Sequence, residues 1–185
     1  MKTIFISAGH SNHPNTDRGA IGNGYIEGEL AVEFRTLLVS ALKRKGAKTG
    51  IDPDNSVLKQ TLNYFWNLTT ENSICIDIHW NAASPSATGT EVFIPNNHSL
   101  IELNLAREVA VVIASKLKIV ARGNRGVKLE SESQHKSLGF MRLKGENILI
   151  EMCFITNAND MASYQANKVQ LAESLADVLI KYASK

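Results

Sequence analysis

Three apolar, strand-like runs in this sequence end in, or carry, a residue able to bind a metal or move a proton. His10 follows Ser7-Ala8-Gly9, His79 follows Ile76-Asp77-Ile78, and Glu151 interrupts the run from Asn147 to Phe154. Glu27 opens an amphipathic stretch after a glycine-rich segment. Two imidazoles and one carboxylate, with a position left open for water, form a common catalytic zinc set. The spacing of His10, Glu27 and His79 is long and matches no short metal motif such as HExxH. Each residue also has a plainer reading. A histidine after a strand can be a surface or capping residue. Glu27 or Glu29 suits the first turn of a helix through the macrodipole. Glu151 is the most informative, because a carboxylate in so apolar a run must be paired, metal-bound or functional. Its structural reading is a salt bridge with Arg142 or Arg125. Its functional reading is a general base for an attacking water, with burial raising its pKa and a neighbouring cation lowering it.

The elements that must position these residues follow from the hydrophobic pattern. Thr3–Ala8 is short, β-branched and aromatic and reads as a buried strand, followed by a polar Gly9–Ile26 loop. Glu27–Lys45 has apolar residues at helical spacing, with basic residues in its last turn and Gly46 as its stop. Ala47–Ile51 is a short strand, Ser56–Thr70 a helix capped by Ser56, and Ser73–Ile78 a third strand. Thr90–Ile94 is a strand ended by Pro95, and Leu100–Leu117 is a helix. Residues 121–146 are irregular with a short strand at Phe140–Leu143. Asn147–Cys153 is a strand and Ala166–Tyr182 a closing helix. The alternation predicts an α/β domain, a twisted, mostly parallel sheet with helices on both faces. Sites in such sheets form outside the carboxyl ends of the strands. If the first and third strands run parallel, His10 and His79 project from one edge.

Composition narrows the classes. The 185 residues carry 20 basic and 18 acidic side chains, a net charge of +2, which argues against a nucleic-acid partner. With 44% hydrophobic residues and no low-complexity run, disorder is excluded. Cys75 and Cys153 each lie in an apolar run and read as reduced core thiols. Gly19–Gly24 lacks the Lys-Ser/Thr of a P-loop. No apolar run is long enough to span a membrane, and the opening residues are too briefly apolar for a signal peptide.

Seven fragments in order then carry a resemblance that covers essentially the whole chain. They are Ala8-Gly9-His10, Asp17-Arg18-Gly19-Ala20, Glu27 at its helix start, and Ile78-His79-Trp80-Asn81. Gly89-Thr90-Glu91-Val92, Asn124-Arg125-Gly126-Val127-Lys128 and Ile148 through Asn157 complete them. Together they closely resemble the zinc-dependent N-acetylmuramoyl-L-alanine amidases of bacterial cell walls and phage endolysins. The resemblance implies a Zn²⁺ cofactor held by His10, Glu27 and His79, with Glu151 as the catalytic carboxylate. Helix register against the family's apolar positions prefers Glu27 to Glu29. Asn81, Arg125 and Arg142 are candidate substrate contacts, and His13, in the loop of His10, is a weaker one. The chain departs from the family's pattern in three places. Ala8 stands where proline is usual, an arginine is missing near Thr49–Asp52, and Trp80 replaces a small residue and is expected to alter the substrate groove. The role of Asp77, on the same face as His79, stays open.

The expected activity is hydrolysis of the amide joining N-acetylmuramic acid to the L-alanine of the stem peptide, with peptidoglycan as the substrate. One catalytic domain over residues 1–185, with no separate wall-binding domain, is the expected organisation, and a monomer is favoured. The expected route is synthesis in the cytoplasm and action at the wall after holin-type release or lysis. Two other readings remain. A zinc carboxypeptidase would need an anchor for a terminal carboxylate, from Arg125 or Arg142. A metal-free wall-binding module would bind sacculi regardless of chelator.

Overall fold

The computed structural model describes residues 1–10, 17–54 and 56–185. His13, a candidate contact, lies outside the described residues. A six-stranded sheet runs in the order β4 (Thr49–Ile51), β1 (Thr3–Ala8), β5 (Ser73–Asn81), β8 (Glu146–Phe154), β6 (Glu91–Ile94), β7 (Val127–Leu129). β4, β1, β5 and β8 are mutually parallel, whereas β6 pairs antiparallel with β8 and parallel with β7. The expected mostly parallel α/β sheet is therefore present. The reversed β6 has a consequence for the site, because its amino end lies beside the carboxyl ends of β1, β5 and β8.

Alternation in β1 and β5 sorts the side chains. Ile4, Ile6, Ile74, Ile76 and Ile78 face the main core, under α1 (Glu27–Arg44), α4 (Ala158–Ala183) and α3 (Leu100–Leu117). α4 packs against both other helices and so lies between them. On the opposite face, Phe5, Cys75, Phe140 and Leu143 surround Phe65 of α2 (Leu58–Leu68). Helices thus cover both faces, but α2 and the Gly139–Arg142 turn cover only part of the second. Cys75 and Cys153 are buried and form no disulfide.

Local chemistry explains the boundaries that sequence pattern alone misplaced. α2 begins at Leu58 rather than Ser56. Its cap is Val57, whose N–H donates to Gln60 Oε1, so Ser56 is not the capping residue. Gly139–Arg142 forms a 3-10 turn and not the expected strand, because Phe140 and Met141 serve different small clusters rather than a sheet ladder. α4 starts at Ala158, earlier than expected, because the Asn157 side chain accepts from the Asn159 and Asp160 N–H groups. Within the expected Gly9–Ile26 loop, β2 (Ile21–Gly22) and β3 (Tyr25–Ile26) form a small antiparallel hairpin. The short strand β7 was hidden in the polar 121–146 region, its apolar content being too small to register.

Candidate metal centre

α1 has no side-chain cap. Its first N–H groups are satisfied by the loop before it: Glu27 N–H donates to Ala20 O at 2.9 Å and Gly28 N–H to Arg18 O at 3.0 Å. The Glu27 side chain is then available to turn inward, where it is almost fully buried. Its Oε2 accepts from Ala20 N–H at 2.8 Å, and its Oε1 accepts from Trp80 N–H at 3.0 Å. The same Oε1 lies 3.1 Å from His79 Nδ1 and 3.3 Å from His10 Nε2. The imidazoles, delivered by the ends of β1 and β5, meet edge to face with centroids 4.9 Å apart.

Two glycines make this crowding possible. A Cβ on Gly9 would overlap the His79 ring, and one on Gly19 would meet Glu27 Oε2 and the His10 ring. Gly19 also has φ of +72°, a backbone conformation that other residues rarely adopt.

The donor set fits a metal ion. One donor atom each from His10, Glu27 and His79 lie within 4.8 Å of one another. Tetrahedral zinc with bonds of about 2.0–2.1 Å holds its donors about 3.3 Å apart, close to the two carboxylate–imidazole distances here. Glu29, the competing acid of the same helix turn, points away and pairs with Arg18 at 2.8 Å.

The charges are strongly coupled. Burial disfavours a charged His79, but Asp77 and Glu27 outweigh it and raise its pKa well above the ordinary value. Both ring nitrogens face carboxylates, since Nε2 lies 3.2 Å from Asp77 Oδ2. Burial likewise opposes charge on His10, and the Glu27 hydrogen bond reverses the balance and raises its pKa. Burial would raise the Glu27 carboxyl, but the two imidazoles hold it far below the usual range. Facing Glu27, both imidazoles therefore hold a proton more tightly than a free imidazole does. Asp77, whose role the sequence leaves open, lies 3.2 Å from the His79 nitrogen turned away from Glu27, a contact of the kind that would orient a ligating imidazole.

Glu151 is the cross-strand neighbour of His79 on one side and of Glu91 on the other. It forms no ion pair with Arg125 or Arg142, and its buried Oε2 has no hydrogen-bond partner among the described residues. Burial, the dominant cause, pushes its carboxyl up to about 7. Just beyond it β8 is irregular: His79 pairs with Glu151, but Asn81 pairs with Phe154, so β8 carries one extra residue there.

Other candidates fall in different places. Asn81 is at the end of β5, two residues from His79 and on its face, with Oδ1 accepting from Ala82 N–H. Arg125 is exposed in the turn before β7 with φ of +57°. Arg142 is not at this edge. It forms a bidentate pair with Glu130, at 2.9 and 2.8 Å, beyond the carboxyl end of β7 and thus at the opposite end of the sheet. Trp80 does not line the groove either. It points to the main core, 2% exposed, edge-on to Phe34 and Tyr164. Sequence reasoning missed the Arg35–Asp52 pair. Asp52 Oδ1 accepts from Ala8 N–H at 3.2 Å and from Arg35 at 2.5 Å, bracing the end of β1 just before His10. The signal was the lone Arg35 amid the apolar positions of α1.

Comparison with known proteins follows the same outline. The profile of the family described as N-acetylmuramoyl-L-alanine amidase matches residues 4–181. Two Bacillus subtilis proteins align at 27% identity. YqiI does so over 97% of this chain and 82% of its own length. The N-acetylmuramoyl-L-alanine amidase LytC does so over 98% of this chain but 35% of its own length. Among solved structures, a Neisseria meningitidis protein described as an N-acetylmuramoyl-L-alanine amidase superposes with a TM-score of 0.80. Its identity is 27%, over 97% of this chain and 94% of its own.

Proposed function

The chain belongs to the N-acetylmuramoyl-L-alanine amidase family, and on that premise we propose that it is a zinc-dependent peptidoglycan hydrolase. The bond cut is the amide between the lactyl group of N-acetylmuramic acid and the L-alanine of the stem peptide. The observation that carries the reading is the three-donor cluster of His10, Glu27 and His79 with an unpartnered carboxyl, Glu151, on the adjoining strand.

His10 Nε2, His79 Nδ1 and a Glu27 oxygen would hold the ion. When bound, zinc supplies Lewis acidity to the scissile carbonyl and makes water acidic near neutral pH. The protein's own groups do the rest. Asp77 keeps the proton on His79 Nε2, which leaves Nδ1 free to ligate. Glu151 takes the proton of the attacking water and delivers it to the departing amine nitrogen. A carboxyl with a pKa of about 7 suits both halves of that exchange. Arg35 and Asp52 hold the end of β1, and with it His10, in place.

The test combines metal analysis with mass spectrometry of a defined muropeptide digest. Bound zinc, with release of lactyl-ended glycan and an intact stem peptide beginning at L-alanine, is the expected result. Release of single terminal residues would instead identify a carboxypeptidase, and sacculus binding without turnover or metal would identify a wall-binding module.

A further inference from the structure

On the side away from His79, Glu151 neighbours a group that the proposed reaction does not use. Its antiparallel partner Glu91 is buried on the same face, so the two side chains stand about 5 Å apart at their Cβ atoms. Glu91 is held by two cations: Arg122 Nε pairs with Oε1, and Lys128 Nζ lies 2.7 Å from Oε2. Arg122 also donates to Thr88 O and lies over the Phe154 ring, while Lys128 lies 6.0 Å from the Phe93 ring centroid. Two cations on a single carboxylate leave one positive charge in excess. It is not buried, because the Arg122 and Lys128 side chains are 37% and 24% exposed.

We propose that Arg122 and Lys128, set by Glu91, form an anion subsite that binds a free carboxylate on the stem-peptide residue following the L-alanine. The inference rests on the amidase reading and names what that site prefers. Distance supports it. From the scissile nitrogen, across alanine, to a carboxylate on the next residue's α-carbon is at most about 7 Å along an extended chain. The cations stand one side chain beyond Glu151, which must touch that same scissile nitrogen. Glu91 then has a defined task. It brings two flexible basic side chains to one place before substrate arrives, which lowers the ordering cost of binding. A carboxylate would displace neither cation from Glu91, since each has further donor hydrogens.

The test compares two muropeptides that differ only at the second residue, D-isoglutamate with its free carboxylate or D-isoglutamine with that group amidated. The zinc-loaded wild-type protein is expected to show a kcat/KM ratio favouring the carboxylate by roughly five- to tenfold. The ratio should shrink as salt is raised. K128M should bring it close to one, and K128E should invert it. Because K128M leaves Glu91 with one partner fewer, the double variant E91Q/K128M serves as the folded control: Arg122 alone then carries the same single positive charge in excess, and its ratio should return toward the wild-type value. A wild-type ratio of one, or an unchanged ratio in both lysine variants, overturns the subsite. If the wild-type protein releases lactyl-ended glycan from neither muropeptide, the amidase reading itself has failed, a result distinct from loss of preference.

Discussion

Replacing Glu151 with glutamine separates what the carboxyl does for turnover from what it does to stability. Burial takes its pKa from 4.5 to about 7 in the folded protein, with Oε2 unpartnered. Below pH 4.5 the carboxyl is protonated in both folded and unfolded chains and costs nothing. As pH rises, the unfolded chain ionises first and stability falls. Above pH 7 both forms are ionised and the full cost is present. At about 1.4 kcal/mol per tenfold change in proton affinity, that cost is about 3 kcal/mol. A neutral isosteric amide escapes it. Metal-free E151Q should therefore match the wild type near pH 4 and exceed it by up to about 3 kcal/mol at pH 8. In a chain of this size that is roughly 6–12 °C in Tm. Chelated proteins, unfolded by denaturant across pH 4–8.5, give the comparison, and chelation matters because a bound dication would itself favour the anion. The zinc-loaded variant should keep its metal yet lose about 10²–10⁴ in turnover. A stability difference that stays flat with pH, or a variant less stable than wild type at pH 8, would refute the assignment of a buried, unpaired carboxyl.

Three further outcomes are expected. G9A should fold but bind zinc far more weakly, because the added methyl occupies the space of the His79 ring; metal content of the purified variant checks it. D77N should lose roughly 10- to 100-fold in zinc affinity, measured by competition with a chromophoric chelator. Zinc affinity should rise with pH through and above the ordinary histidine range, with proton release seen by calorimetry in buffers of different ionisation enthalpy. The sign follows from the raised imidazole pKa values: the protons of His10 and His79 stabilise the metal-free cluster at low pH and must leave before the nitrogens ligate.

Where these residues lie was legible wherever a strand ended in an unexpected polar side chain. Thr3–Ala8 and Leu100–Leu117 matched the pattern to the residue, since β-branched alternation and a Ser99–Glu102 capping box leave little choice. His10, Glu27, His79 and Glu151 stood out because chemistry-bearing groups interrupted apolar runs. What escaped notice was set by contacts between distant segments. Arg142 could not be assigned until Glu130 was seen to claim it. Trp80 looked like a groove residue because pattern alone does not say which side of β5 faces α1. Glu91 stands in the sequence only as part of the Gly89-Thr90-Glu91-Val92 fragment, with no role of its own, because the direction of β6 is not written in its own four residues.

The strand order has a consequence for when the protein becomes active. β1, β5 and β8 are neighbours in space but are separated along the chain by whole helical crossovers. Such long-range parallel pairing is slow to form and comes late in folding. The three metal donors all precede residue 80, whereas Glu151 arrives only with the eighth strand. A nascent or truncated chain lacking β8 thus carries every candidate donor but not the proposed general base, and it also lacks the strand to which β6 attaches Glu91. The topology withholds hydrolysis until β8 has been made and paired with β5, so timing is built into the order of the strands.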